Sequence, residues 1–250
     1  MKCKCVCVMD VGPRSNQEDC LIVDSVIYQE DELNISSDFT SEMMILAVCD
    51  GMGGHAAGED ASRYVCEKLN TIVDFVDFSA ESLEKILQAV QGSSNNSLPQ
   101  GSGTTVAGLI IKENKVIVYN AGDSRVYKIT ADTIKCVSHD HSLVQDLVDQ
   151  GLIDDDEAFK HPYRNVVNFG IGPAFKKAKD RYSVFTYEEA LDPDVSYLIC
   201  SDGVSDLVQE DGLFNVLGSD PVSTGDRLLK FLKGKKLKDN TTYIIAQIEE

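Results

Sequence analysis

The sequence predicts an α+β layered domain in which antiparallel sheets are covered by helices, and three observations lead there. Strand-like runs outnumber helical stripes. Several of those runs follow one another through turns too tight for a parallel crossover. Two helical patterns stand side by side after the third strand instead of alternating with strands.

The elements follow in chain order. CVCV opens the chain, and its alternation puts Cys3, Cys5 and Cys7 on one face, which reads as a buried strand face and not as a thiolate metal site. CLIVDSVIY at 20–28 and MMILAVC at 43–49 are strands rich in β-branched and aromatic residues. From Gly58 to Val76, Ala61, Tyr64, Val65, Leu69, Ile72, Val73 and Val76 recur at three- and four-residue steps and predict a helix. Leu83, Ile86, Leu87 and Val90 mark a second one. TTVAGLII at 104–111, KVIVYNA at 115–121 and RVYKIT at 125–130 are consecutive strands. Leu143, Val144, Leu147 and Val148 form a short helical stripe stopped at Gly151. YSVFTY at 182–187, VSYLIC at 195–200, a helix around Leu228, Leu229 and Leu232, and TTYIIAQI at 241–248 complete the chain.

With 250 residues, 43% of them hydrophobic, the chain can fill a large core. No compositional break divides it, so residues 1–250 are read as one domain. The polar stretches at 29–42 and 92–101 are excursions inside it. A net charge of −18 argues against nucleic acid, whose binding needs phosphate neutralisation by Lys and Arg. The lysine cluster KGKKLK at 233–238 reads as a solvated helix end. No apolar run approaches a membrane span, and the N-terminus lacks a signal-peptide core. The eight cysteines are scattered, so a reducing cytoplasm is the expected compartment.

Chemistry concentrates in carboxylates at strand ends. Asp50-Gly51 closes MMILAVC and Asp202-Gly203 closes YLICS. Asp239 precedes TTYIIAQI, Glu18-Asp19 precedes CLIVD, and Asp123 lies in the turn between KVIVYNA and RVYKIT. In antiparallel sheets, strand exits and entrances share a rim, so these acids can converge. A cluster of that kind repels itself unless cations sit between its members. Oxygen donors without matched His or Cys select Mg²⁺ or Mn²⁺. Two such ions activate a water for in-line attack on phosphorus, and Arg14 is the natural phosphate clamp.

The loop CDGMGGHAAGEDA at 49–61 also fits G-x-G-x-x-G/A, the dinucleotide fingerprint. Asp50 would repel a pyrophosphate, the next element is a helix and not a parallel strand, and no GK[ST] follows. The dinucleotide reading falls.

Eight segments, in order, resemble the type 2C metal-dependent protein serine/threonine phosphatases in their compact bacterial form: VGPRSNQED, CDGMGGHAAGEDAS, GSGTTVAGL, NAGDSRVY, HDHSLVQDLVDQGLI, HPYRNVV, LICSDGVSDLV and KDNTTYII. The resemblance implies two antiparallel sheets face to face with helices on both outer faces. It implies a binuclear Mn²⁺ or Mg²⁺ centre, with a weaker third ion at Asp123 and Asp206. Asp50 looks like the bridging carboxylate, with Gly51 offering its carbonyl. Asp202 and Asp239 are similar to the other ligands of one ion and Glu18 to a ligand of the second, while Asp19 orients water in their shell. Asp50, Asp202 and Asp239 are therefore the catalytic acids, and Arg14 binds substrate.

The implied activity is hydrolysis of phosphoserine and phosphothreonine by activated water, without a phosphoenzyme. Implied partners are phosphoproteins and a cognate serine/threonine kinase, and the expected state is a monomer. The acidic run 154–157 falls in the family's flap and would favour basic sequences beside the phosphorylated residue. Met52 stands where animal relatives carry a His, so the general acid is unassigned; His55 reads as structural. VVNFGIG at 166–172 departs from the family's usual run. A catalytically inactive phosphoprotein-binding module of the same fold is the alternative.

Overall fold

The computed structural model describes residues 1–53, 57–72 and 78–249. Strands β1 (Lys2–Asp10), β2 (Asp19–Val23), β3 (Val26–Tyr28), β4 (Glu32–Thr40) and β5 (Met43–Met52) precede helices α1 (Ala57–Asn70) and α2 (Ala80–Ser97). Strands β6 (Gly103–Thr104), β7 (Val106–Lys112), β8 (Lys115–Ala121), β9 (Arg125–Ile129) and β10 (Ile134–Cys136) lead to helices α3 (Leu143–Asp149) and α4 (Asp155–Lys160). The chain closes with β11 (Phe185–Ala190), β12 (Ser196–Cys200), α5 (Asp202–Ser205), α6 (Glu210–Leu217), α7 (Pro221–Lys235) and β13 (Thr241–Glu249).

The strands form two antiparallel sheets. One is six-stranded, in the order β10-β9-β12-β13-β1-β4; the other is seven-stranded, β11-β8-β7-β5-β2-β3, with β6 pairing onto β5. Their inner faces share one core, where Cys3, Cys5, Cys7 and Met9 meet Leu21, Met44, Leu46, Val48 and Leu109. The alternation read from CVCV thus places its thiols among apolar side chains, all of them buried. Helices α1 and α2 cover the outer face of the seven-stranded sheet through Val65, Cys66, Leu69, Leu83 and Leu87. Helices α6 and α7 cover the other sheet through Leu213, Leu217, Leu228 and Leu232. The α-β-β-α sandwich is the expected one.

Several elements differ from the sequence reading. The run 20–28 breaks into a hairpin, because Asp24 (φ 43°) and Ser25 (φ 73°) both take positive φ between Val23 and its partner Val26. A two-residue turn of that hand matches strand twist. Residues 29–42 are no excursion: β4 pairs with β1 along its whole length, from Lys2↔Thr40 to Asp10↔Glu32. Only Leu33, Ile35 and Phe39 face the core, so the strand sits at an edge with its other face in water. Residues 92–97 extend α2, with Ser94 buried and bonded back to Gln91 O. Packing there overrides weak Ser and Asn helix propensity.

Helix α1 ends at Asn70, earlier than the stripe suggests; Val73, Val76 and His55 lie outside the described residues. β11 begins at Phe185 rather than Tyr182. The acidic run 154–157 forms the start of α4, where Asp154 and Glu157 make a reciprocal capping box.

Candidate metal centre

Adjacent strands β2 and β5 place Asp19 directly opposite Asp50. Like charges on one rung destabilise a sheet, so this pairing needs a compensating cation or proton. Asp50 is positioned through its backbone: its N–H donates to Thr105 Oγ1 at 3.1 Å, and its carbonyl accepts from Thr105 N and Thr104 Oγ1, both at 2.9 Å. The segment 166–172 supports that anchor from behind, since Ile171 and Thr104 pair as a bridge and Phe169 and Ile171 are buried.

The glycines have a packing reason beyond flexibility. A Cβ on Gly51 would stand 2.2 Å from Gly58 O and 2.5 Å from Glu18 O. A Cβ on Gly58 would stand 3.0 Å from both the Glu18 carboxyl carbon and Gly51 O. Glycine at both positions therefore lets the first turn of α1 close on the end of β5 while leaving room between the Gly51 carbonyl and the Glu18 carboxylate. Glu18 is itself held through its backbone, accepting from Gly51 N (3.1 Å) and Ser62 Oγ (2.6 Å) and donating to Asn240 Oδ1 (2.8 Å).

The six-stranded sheet supplies the facing acids. Asp202 begins α5 just after β12, and Asp239 sits just before the neighbouring β13. Asp239 accepts from its neighbour's N–H through Oδ1 (2.8 Å) and from Arg14 Nη2 through Oδ2. Asp19, only 1% exposed, reaches across the sandwich: Ser201 Oγ donates to its Oδ2 at 3.0 Å. Asp123, in the turn after Gly122 (φ 110°), is also buried. Asp206 caps α5 and pairs with Arg164 at 3.2 Å, tying the 161–167 segment to this rim. Gln209 Nε2 donates to Asp156 Oδ1 at 3.0 Å and ties α4 to it as well.

The electrostatics show the convergence. Burial pushes Asp50 well above the usual carboxylate range, and Asp19, Asp202, Asp123 and Asp239 push it further. Asp202 is lifted to about 7, by burial first and then by Asp206 and Asp239. Asp19 is lifted to about 7 by burial, against the opposing hydroxyls of Thr242 and Ser201. Asp123 rises well above its ordinary value through burial, Asp202 and Asp140. Glu18 also rises, by burial first, with Arg14 opposing and Asp239 assisting. Burial works against the Arg14 charge, yet Asp239, Glu18 and Asp202 hold its pKa above the ordinary value.

Arg14, Glu18, Asp19, Asp50, Gly51, Asp123, Asp202, Asp206 and Asp239 thus lie on one rim, built from both sheets. The donors are oxygens alone, they repel one another, and two glycines keep space at a carbonyl and a carboxylate among them; this set fits hard divalent cations. Among the described residues no three His, Cys, Asp or Glu side chains are already drawn into a cage, and Arg14 takes one Asp239 oxygen.

Sequence reasoning missed the supports: Asn240, Ser201, Thr105 and Gly58. Asn240 is 4% exposed, and its Nδ2 donates to Val11 O (2.9 Å) and Asn16 O (3.1 Å), clasping the loop that carries Arg14 and Glu18. Its place beside Asp239 was the available signal.

Comparison with known proteins agrees with this architecture. Serine/threonine protein phosphatase PstP of Mycobacterium tuberculosis is 31% identical over 214 residues, which cover 82% of this chain and 40% of PstP. The chain therefore spans less than half the length of that relative. The crystal structure of M. tuberculosis PstP/Ppp superposes over 100% of both chains with a TM-score of 0.81 at 26% identity. The catalytic domain of PstP in complex with 2 manganese ions shares the fold at 24% identity, with a TM-score of 0.74 and 100% coverage of both chains. Residues 27–239 match the protein phosphatase 2C family, so with an acid-lined rim between two antiparallel sheets the chain belongs to that family.

Proposed function

We propose that the chain is a protein serine/threonine phosphatase that hydrolyses phosphoserine and phosphothreonine in proteins. The observation that carries this reading is the convergence of Asp19, Asp50, Asp123, Asp202 and Asp239 on one rim, each raising the burden of charge on its neighbours. Two divalent ions, manganese or magnesium, would supply Lewis-acid polarisation of the phosphoryl group and a water of lowered pKa for direct attack.

The chain's own residues do the rest. Asp50, acted on by acids of both sheets, would offer its carboxylate to both ions, and Gly51 its carbonyl to one. Asp202 and Asp239 would hold one ion and Glu18 the other. Asp123 and Asp206, each a neighbour of Asp202, would serve a weaker third. Asp19, bonded by Ser201 Oγ and opposite Asp50, would orient water in the ions' shell. Arg14, half-exposed above Asp239, holds the phosphoryl oxygens through a planar pair of donors. The PstP catalytic domain, which shares this fold, is described in complex with 2 manganese ions, and that favours a pair of ions here.

Its substrates are then phosphoproteins, and a serine/threonine kinase acting on the same residues is the natural counterpart. We place it in the cytoplasm as a monomer; Cys3, Cys5 and Cys7 pack as apolar side chains, which is how a reducing compartment uses cysteine. Among the described residues no helix is long and apolar enough to cross a membrane.

The test is hydrolysis of a phosphothreonine peptide by the purified protein with Mn²⁺, with Mg²⁺ and with excess EDTA. Ion-dependent turnover abolished by chelation is the expected result. Ion binding without turnover would overturn the reading in favour of an inactive phosphoprotein-binding module.

A further inference from the structure

The lysine cluster at 233–238 is a sequence feature that the phosphatase reading leaves unused. It stands out in a chain with 23 Lys and Arg against 41 Asp and Glu. Two of its four lysines are accounted for by α7. Lys233 pairs with Asp10 at 2.7 Å, Lys235 lies over the Phe231 ring, and both sit in the last turn, where cations complement the helix dipole. Lys236 and Lys238 lie beyond the helix, are exposed, and make no ion pair among the described residues. Lys236 takes φ 65° at the C-cap, a conformation that glycine adopts freely and that a side chain disfavours.

This segment runs directly into the candidate metal centre. Lys238 precedes Asp239, and a Cβ on Gly12 would stand 2.4 Å from Asp239 O and 3.5 Å from Leu237 Cβ, so the two segments run side by side. Arg14 follows on the same turn and bonds Asp239. By chain contour, both lysines lie within about 11 Å of Asp239, a span of three to four extended substrate residues. The acidic helix α4 sits on the opposite flank: Gln209 ties it to the start of α6, whose Glu210 accepts from Cys136 N of β10, across the sheet from β1. Along the rim, Asp202 after β12 is followed by Asp239 before β13 and then by the end of β1 with Asp10 and Lys233.

We propose that Lys236 and Lys238 form, with Arg14, a subsite for an acidic group carried by the substrate close to the scissile phosphoresidue: a carboxylate side chain or a second phosphoryl group. This deepens the phosphatase reading and rests on it. A substrate is then read with polarity, an acidic residue on the flank of β1 and a basic one on the flank of α4. The surrounding negative charge sharpens the contrast, because the acids of this rim repel an acidic segment that strays from its cationic side chains.

The experiment uses the Mn²⁺-loaded protein and phosphothreonine peptides with Glu, a second phosphothreonine or Gln placed one to three residues to either side. An acidic group on one side only should lower KM by about two- to fivefold per lysine engaged, with kcat little changed. The advantage should shrink as salt rises from about 50 to about 500 mM. It should vanish in the Lys236→Gln/Lys238→Gln variant, while hydrolysis of para-nitrophenyl phosphate stays the same. Larger gains for phosphothreonine than for Glu would identify the second phosphoryl group as the preferred form. Equal KM for acidic and neutral peptides, or a preference that survives in the variant, would overturn the subsite. Hydrolysis of para-nitrophenyl phosphate reports on catalysis independently. In a protein without turnover the same panel is read by binding affinity, and the same contrast decides.

Discussion

Asn240 offers the sharpest test of how the rim is held together. The perturbation is Asn240→Ala. The amide makes three hydrogen bonds, accepting from Glu18 N at 2.8 Å and donating to Val11 O and Asn16 O at 2.9 and 3.1 Å. It does so at 4% exposure, so water cannot replace the lost partners without opening the loop. At about 0.5–1.5 kcal/mol net per bond, the loss comes to about 1.5–4.5 kcal/mol. For a chain of this size each kcal/mol shifts the melting temperature by about 2–4 °C, so Tm should fall by about 3–18 °C. Asn240→Asp should cost more, because its second oxygen would face two carbonyls. Glu18 and Arg14 both ride on the clasped loop, so the variant should also need more Mn²⁺ for half-maximal phosphopeptide hydrolysis. Thermal unfolding with and without Mn²⁺, joined to that titration, measures both effects. An Asn240→Ala protein within about 0.5 kcal/mol of the parent, with an unchanged Mn²⁺ requirement, would refute the clasp.

Three further outcomes follow from the same rim. Asp202→Asn should abolish Mn²⁺-dependent turnover while leaving the metal-free protein at least as stable, since it removes a charge that raises Asp50; calorimetry and the peptide assay check it, and full activity would remove Asp202 from the ligand set. Asp19 and Asp202 are pushed up to about 7 in the fold, against about 4 in an unfolded chain. The folded state therefore binds more protons between those values, and metal-free stability should fall as pH rises from about 4 to about 7; melts in EDTA across that range should show the slope and saturating Mn²⁺ should flatten it. Gly58→Ala should weaken both stability and ion affinity, because its methyl would press on the Gly51 carbonyl and the Glu18 carboxyl carbon at 3.0 Å; a variant with parental Tm and Mn²⁺ dependence would show that the contact relaxes freely.

The candidate site was more legible in the sequence than the fold around it. Asp50-Gly51, Asp202-Gly203 and Asp239-Asn240 announce themselves because each acid abuts a long apolar strand and a residue suited to a sharp change of direction. Apart from Asn240, placed beside Asp239, the supports were not legible, since they join elements far apart in the chain: Thr105 reaches Asp50, and Ser201 reaches Asp19. No periodicity encodes such pairs. Strand β4 was hidden because an edge strand needs an apolar residue only at alternate positions, and here Ser37 interrupts even that alternation. The helix α4 is too short to show a stripe and buries none of its residues, so its capping box was its only signature. The turn at Asp24-Ser25 lacks the glycine that usually marks a positive-φ hairpin.

The proposed donors come from both halves of the sandwich: Asp19, Asp50 and Gly51 on the seven-stranded sheet, Asp202 and Asp239 at the ends of strands in the six-stranded one. Their spacing is therefore fixed by how far one sheet slides over the other, and that offset is set by side chains such as Met9 and Met44 between the layers, none of them a donor. The core acts as the ruler for the centre. A volume change between the layers would reset the bite of the acids from a distance, and ion selectivity could drift through substitutions that never touch an oxygen ligand.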